Sequence, residues 1–182
     1  MKRLQKSAIL ISLIENLQKY ESWCGETHIQ KSTYFLQELL KVPLEFHFIL
    51  YKHGPFSFDL RGELAAMLAD DFYILEPQYN YGPKHIPSTG SNFLKENFTV
   101  TIEKYSNEIV FVAQKLGNMR VDELERVATA LYIKRKFKDN DADLAKEIVK
   151  IKPHISMRLA KEAVQKSERI ISDCRSEFGI TS

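Results

Sequence analysis

Tyr51–Leu68 reads YKHGPFSFDLRGELAAML, and the fold turns on how this stretch divides. Its first residue closes a β-prone run, Phe46-His47-Phe48-Ile49-Leu50-Tyr51, in which aromatics alternate. Gly54-Pro55 supplies turn chemistry. Ser57 is a good N-cap, because its hydroxyl can accept from a backbone N–H of the first helical turn, and Asp59 suits the positive end of the helix dipole. Leu60, Leu64, Met67 and Leu68 then form the apolar stripe of a helix closed by Asp70-Asp71. Strand, turn and helix meet at one corner, which gathers Tyr51, His53, Phe56, Ser57 and Asp59.

Upstream, Leu4, Ala8, Ile11 and Ile14 recur at helical spacing, with Leu10, Leu13 and Leu17 widening the stripe. So many aliphatics predict a first helix over 3–20 that is buried on more than one side. Gly25 is the expected left-handed terminator after Glu21-Ser22-Trp23-Cys24. Thr27 and Gln30 have the spacing of a capping box for a second helix, which runs through Ile29, Thr33, Leu36 and Leu40 and stops at Val42-Pro43.

Downstream, Phe72–Glu76 and Lys84–Pro87 flank the turn-rich segment 78–83, predicting a β-hairpin. From Ser91 onward every segment reads as helix. One long amphipathic helix is expected from Phe98 to Leu116, ended by Gly117-Asn118, and another opens at Asp122–Glu125 with Leu124, Val127, Ala128 and Leu131 facing inward. A short helix over 141–151 stops before Pro153, and a last one covers Ser156 to Phe178. The expected fold is α+β and mostly helical, in one domain over 1–182. A winged-helix-like core with a short hairpin occupies 1–90, and a C-terminal helical cover occupies 91–182.

Composition sets outer bounds. The 182 residues are 44% hydrophobic and 27% charged, an ordinary globular balance. Residues 1–90 hold 9 Lys/Arg against 10 Asp/Glu, and residues 91–182 hold 17 against 14. A net charge of +2 is too mild to argue for nucleic acid by itself. Cys24 and Cys174 belong to no paired spacing, which fits a reduced cytoplasmic protein, with a single structural disulfide as the alternative. The apolar run Leu4–Leu17 is interrupted by Lys6, Ser12, Glu15 and Asn16 and is too short for a membrane span.

Two runs carry a resemblance. His28-Ile29-Gln30-Lys31-Ser32-Thr33-Tyr34-Phe35-Leu36 resembles the LQKLLYF-like helix of the SocA-like, or Panacea, domain, and Tyr51–Ser57 resembles the YGP turn that follows it in that group. The fuller form YKHGPFSFDL, with LERVATALYIKRKF at 124–137 and IKPHISMRLAKEA at 151–163, is similar to the YwgA-like proteins. The resemblance implies a mixed α/β winged-helix-like core and a role as antitoxin or adaptor, with a toxin or effector as protein partner. Ser32-Thr33 stands where the commonest pattern has a leucine pair.

On this reading the partner-binding candidates are Lys31, Tyr34, Tyr51, His53, Phe56 and Asp59. Phe56 and Phe58 are candidate exposed anchors, with at least one expected inside. The alternative is a DNA-binding regulator that uses Lys84 and His85 of the hairpin with Lys134, Arg135, Lys136 and Lys138. The helix after the corner argues against groove docking, since Asp59, Glu63, Asp70 and Asp71 there outnumber Arg61 and would repel phosphates. An enzyme centred on Tyr51, His53 and Asp59 would need those side chains to meet in one pocket. A nucleophilic Cys24 beside His28 is the remaining chemical option. Cys24 and His28 lack a second ligand pair, and His47, His53 and His85 lack a supporting carboxylate or cysteine spacing, so no metal or cofactor is expected.

Overall fold

The computed structural model describes residues 1–79, 81–136 and 143–179. Nine helices and two antiparallel hairpins lie among them, in the α+β, mostly helical class that the patterning predicts. Helix α1 (Arg3–Lys19) is the centre of the packing, touched by α2 (Glu26–Glu38), α4 (Ser91–Asn97), α5 (Thr99–Lys104) and α6 (Ser106–Leu116). All residues from Ser7 to Ile14 are buried, so α1 is enclosed on every side, as its aliphatic density requires. Each such Leu or Ile contributes roughly 1.5–3 kcal/mol on leaving water. Arg3 ties α1 to α3 (Phe58–Ala69) through Glu63 at 3.1 Å and Asp70 at 2.7 Å.

The loop between α1 and α2 departs from the sequence reading. Glu21 and Cys24 adopt the left-handed backbone at φ 61° and 52°, while Gly25 is extended and caps α2. The reason for glycine is space: a Cβ at Gly25 would stand 3.1 Å from Trp23 Cδ1. The Thr27–Gln30 capping box does not form, because α2 already begins at Glu26 and makes no side-chain cap. Gln30 instead turns inward. Its Nε2 donates to the Ser57 carbonyl and its Oε1 accepts from the Ser57 N–H, both at 3.0 Å.

The corner is itself a hairpin. Strand β1 (Ile49–Tyr51) pairs antiparallel with β2 (Gly54–Phe56), in the register Ile49↔Phe56, Leu50↔Pro55 and Tyr51↔Gly54. The turn is Lys52-His53, and Gly54-Pro55 lies in the strand that follows it. Residues 46–48 stay outside the ladder, because the Gln37 side chain bonds both the N–H and the carbonyl of Phe46, at 2.8 and 2.9 Å. Ser57 caps α3 as expected, accepting from the Leu60 N–H at 3.2 Å. Leu60, Leu64 and Met67 are buried, whereas Leu68 is exposed and falls outside the stripe.

Strands β3 (Tyr73–Gln78) and β4 (Tyr81–Pro87) form the second hairpin, with a register shift between Glu76 and Gln78. The long helix expected from Phe98 to Leu116 is two, α5 and α6, divided at Tyr105, and Phe98 separates α5 from α4 before it. At both breaks hydroxyls compete for backbone carbonyls: Thr99 bonds Lys95 and Glu96, and Ser106 bonds Glu103. Helix α7 (Val121–Lys136) packs on α2 and β2, and α8 (Leu144–Ile151) and α9 (Met157–Phe178) close over it. One apolar cluster includes side chains from both halves of the chain, from Ile9 and Phe35 to Leu131 and Ile170. Among the described residues no helix is long and apolar enough to cross a membrane, and Cys24 and Cys174 are both buried free thiols.

Candidate functional site

The β1–β2 corner presents aromatics to solvent. Tyr51 and Phe58 are each 53% exposed, with Phe56 folded beneath them at 9%. The three rings stand 5.0 to 5.7 Å apart between centroids, two of the pairs edge-on. Arg61, one turn along α3, lies with its guanidinium 4.6 Å above the Phe56 ring. The same group is held by Glu26 at the start of α2, through Nε at 2.8 Å and Nη2 at 3.1 Å. A planar cation fixed at both ends over a ring makes this platform rigid.

Arg61 also stands on the rim of an apolar groove of about 780 Å³ between the start of α2, helix α3 and the β3–β4 hairpin. Trp23, Leu64, Leu68, Tyr73 and Leu75 contribute much of its wall. Platform and groove are therefore continuous through one side chain.

The remaining candidates disperse. Lys31 and Tyr34 are both 2% exposed and offer nothing to a contact surface. Tyr34 packs among Phe35, Phe48 and Tyr132, and burial holds its phenol well above the usual range. Asp59 accepts from the His47 N–H at 3.2 Å, while His53 Nδ1 lies 3.1 Å from Glu125 Oε2. Tyr51, His53 and Asp59 thus keep three separate sets of partners and form no common pocket.

In the basic set, His85 is buried against the Tyr73 ring, so it cannot reach a phosphate. Lys84 is half-buried in the same strand. Lys134 pairs with Glu168 at 3.1 Å, and the Arg135 guanidinium donates to the Glu38 carbonyl at the last turn of α2. Lys136 is exposed, and Lys138 lies outside the described residues. Cys24 is fully buried, and burial, slightly offset by Lys84, pushes its thiol up to about 12, which argues against a nucleophilic role. Its neighbour His28 is committed elsewhere, with Nε2 3.0 Å from the Met119 carbonyl.

A second, polar cleft of about 280 Å³ opens beside the Lys52-His53 turn, against α7 and the segment joining α8 to α9. Lys152 is its anchor. Its buried ammonium donates to the carbonyls of Tyr51, at 3.2 Å, and Lys52, fixing the hairpin tip. Burial lowers the pKa of Lys152, and Glu125 opposes the shift. Arg61, Glu125 and Lys152 are the functional neighbours that sequence reasoning missed. Glu125 and Lys152 sit within the two later segments that carry the resemblance, which was the available signal.

No family profile matches the chain, and no curated protein matches it.

Proposed function

We propose that this chain is a protein-interaction module of the SocA-like or YwgA-like kind, an antitoxin or adaptor whose partner docks on the β1–β2 corner. The observation that carries this reading is the exposed Tyr51–Phe56–Phe58 platform under Arg61, continuous with an apolar groove. Tyrosine and arginine held in a rigid, partly desolvated patch are the residues that dominate interface energies. Two half-exposed aromatics side by side also leave an apolar patch in water that a partner would cover. The occupant is a protein segment that lays apolar side chains in the groove and meets the aromatic platform across Arg61. DNA binding has less support, because His85 is buried and Lys134 and Arg135 already bond within the fold.

Photo-crosslinking residues at positions 51 and 58 test this, with position 100 on α5 as the control, where Val100 is 80% exposed. In cells of the chain's own source, both corner positions should capture one and the same protein, and position 100 should not. Adding Phe58→Glu should abolish capture at 51. Capture of nucleic acid, or equal capture at all three positions, would overturn the reading.

A further inference from the structure

The polar cleft beside the hairpin tip uses other residues than the aromatic platform, and its charges do not balance. Its walls carry Lys52, Lys152, Arg126, Asp122 and Glu125. Asp122 accepts from Arg126 at 3.0 Å and lies 3.3 Å from Arg120, so Asp122 and Arg126 cancel within the wall. Glu125 is then the one remaining carboxylate of the wall, and it already faces His53.

Lys31 adds a charge from below. A Cβ placed on Gly54 would lie 3.6 Å from Lys31 Cε, 3.0 Å from Thr129 Oγ1 and 3.1 Å from the Glu125 carbonyl. The end of the Lys31 side chain therefore lies beside the buried Gly54, behind Thr129 and Glu125 of the cleft wall. Burial lowers the pKa of its ammonium to about 8, and Glu125, Lys152 and Glu26 also act on it, the last already held by Arg61. Among the described residues it makes no direct hydrogen bond or ion pair, although Lys31 is only 2% exposed. An ammonium buried in that way is costly unless something compensates it. Lys152 spends two of its three N–H groups on carbonyls and has one left over. Among the described residues, three ammonium groups then stand against Glu125 as the one carboxylate not held by an arginine, an excess of two positive charges.

We propose that this cleft binds the dianionic phosphoryl group of a small molecule, with Lys52 and Lys152 as its cationic ligands, Lys31 as a positive charge behind the wall, and His53 and His154 as further hydrogen-bonding groups. A dianion matches the excess charge, whereas a carboxylate would neutralise half of it. The volume of about 280 Å³ is at the lower end of small-ligand pockets, enough for phosphate with a small organic group. Screening by solvent is weak at Lys31, so its contribution to an anion is large for a single charge.

Thermal unfolding of the full chain tests the site, in inorganic phosphate, a nucleoside 5′-monophosphate, acetate and chloride at matched ionic strength. At tenfold excess over Kd, a phosphoryl ligand should raise Tm by about 3–5 °C, and acetate by much less. A rise with both phosphoryl compounds identifies free phosphate as sufficient, and a rise with the nucleotide alone identifies an ester as the ligand. Lys31→Met should abolish the rise without lowering Tm in chloride. Lys150→Met, on the exposed face of α8, should respond as the wild type does. No rise in the wild type, or an equal rise in Lys31→Met, overturns the proposal. Should Lys31→Met not fold, calorimetric titration of whichever phosphoryl compound raised the wild-type Tm into the exposed variant Lys52→Gln decides: at least a fivefold loss of affinity is expected, and unchanged affinity overturns it.

Discussion

Hairpin β1–β2 has strands of three residues and hairpin β3–β4 has strands of six and seven, yet the shorter one is held on more sides. Gly54, Pro55 and Phe56 are all buried against α2 and α7, and Lys152 grips the tip. The longer hairpin is fastened along one edge. Tyr73 Oη donates to the Leu64 carbonyl at 2.7 Å, Gln18 Nε2 to the His85 carbonyl at 2.8 Å, and the His85 N–H to the Cys24 carbonyl at 3.0 Å. Its far face leaves Ile74 exposed, Leu75 on the groove face is also partly open to solvent, and Tyr79 near its turn is 91% exposed. A two-stranded hairpin is marginal alone, so what surrounds it, and not its length, decides how rigid it is.

The sharpest way to break this contrast is to add a side chain to one glycine of each hairpin. Gly54 sits at φ 90° with backbone and Thr129 at about 3 Å from a new Cβ, whereas nothing lies within 4 Å of one at Gly82. Urea unfolding of Gly54→Val should show a loss of about 3 kcal/mol, combining backbone strain with a clash. Gly82→Val should stay within about 0.5 kcal/mol of wild type. Equal losses would mean that the longer hairpin is as tightly enclosed as the shorter.

The polar anchors give the next effect. Gln30→Ala leaves the buried Ser57 N–H without its partner, while the Ser57 carbonyl keeps the Arg61 N–H at 3.1 Å, at a cost of about 2 kcal/mol in the same assay. Tyr73→Phe removes a single bond from the base of the second hairpin and should cost about 1 kcal/mol.

Acid should separate the hairpins further. Burial holds His85 and His28, which both line the groove, below the ordinary value of 6.5, with smaller opposing contributions from their hydrogen bonds. Between the folded value and 6.5 the unfolded chain binds more protons, so stability rises with pH there and falls on acidification below about 6.5. Amide exchange in β4, corrected for its intrinsic pH dependence, should therefore be faster at pH 5 than at pH 7.5. Lys31 acts by the same sign in another window: from about 8 to 10.5 its deprotonation in the fold should raise stability as pH rises. The smallest effect is at the surface. Phe58→Ser should change unfolding free energy by no more than about 0.5 kcal/mol, which separates a binding role from a structural one.

The aliphatic density of α1 marked it as enclosed on every side, and periodicity made α3, α7 and α9 legible, because their apolar positions answer to an inward face. The Ser57 cap was legible for the same reason, since its partner is three residues away. What the sequence hid depends on distance along the chain. Gly54-Pro55 reads as a turn by local propensity, but pairing with residues 49–51 makes it a strand. Lys31 reads as a helix-surface cation, and only α7 and β2 folding over α2 turn it into a buried one. At the corner, Tyr51 and Phe56 were identifiable from alternation beside a turn. The inward placement of Phe56 follows from the packing of β2 on α2 and α7, contacts that alternation does not encode.

The Lys152 latch has a consequence for the order in which the molecule matures. The carbonyls it holds belong to residues 101 and 100 positions earlier. At about 5–20 residues per second, synthesis of that interval takes roughly 5–20 s. Throughout it, Tyr51 and its neighbouring rings exist as nascent chain with no cation to fasten the turn behind them. A surface encoded about 100 residues before Lys152 is thus completed only once Lys152 has been made. A partner that reads the finished platform would meet this protein after synthesis of residue 152, and not while the corner is first leaving the ribosome.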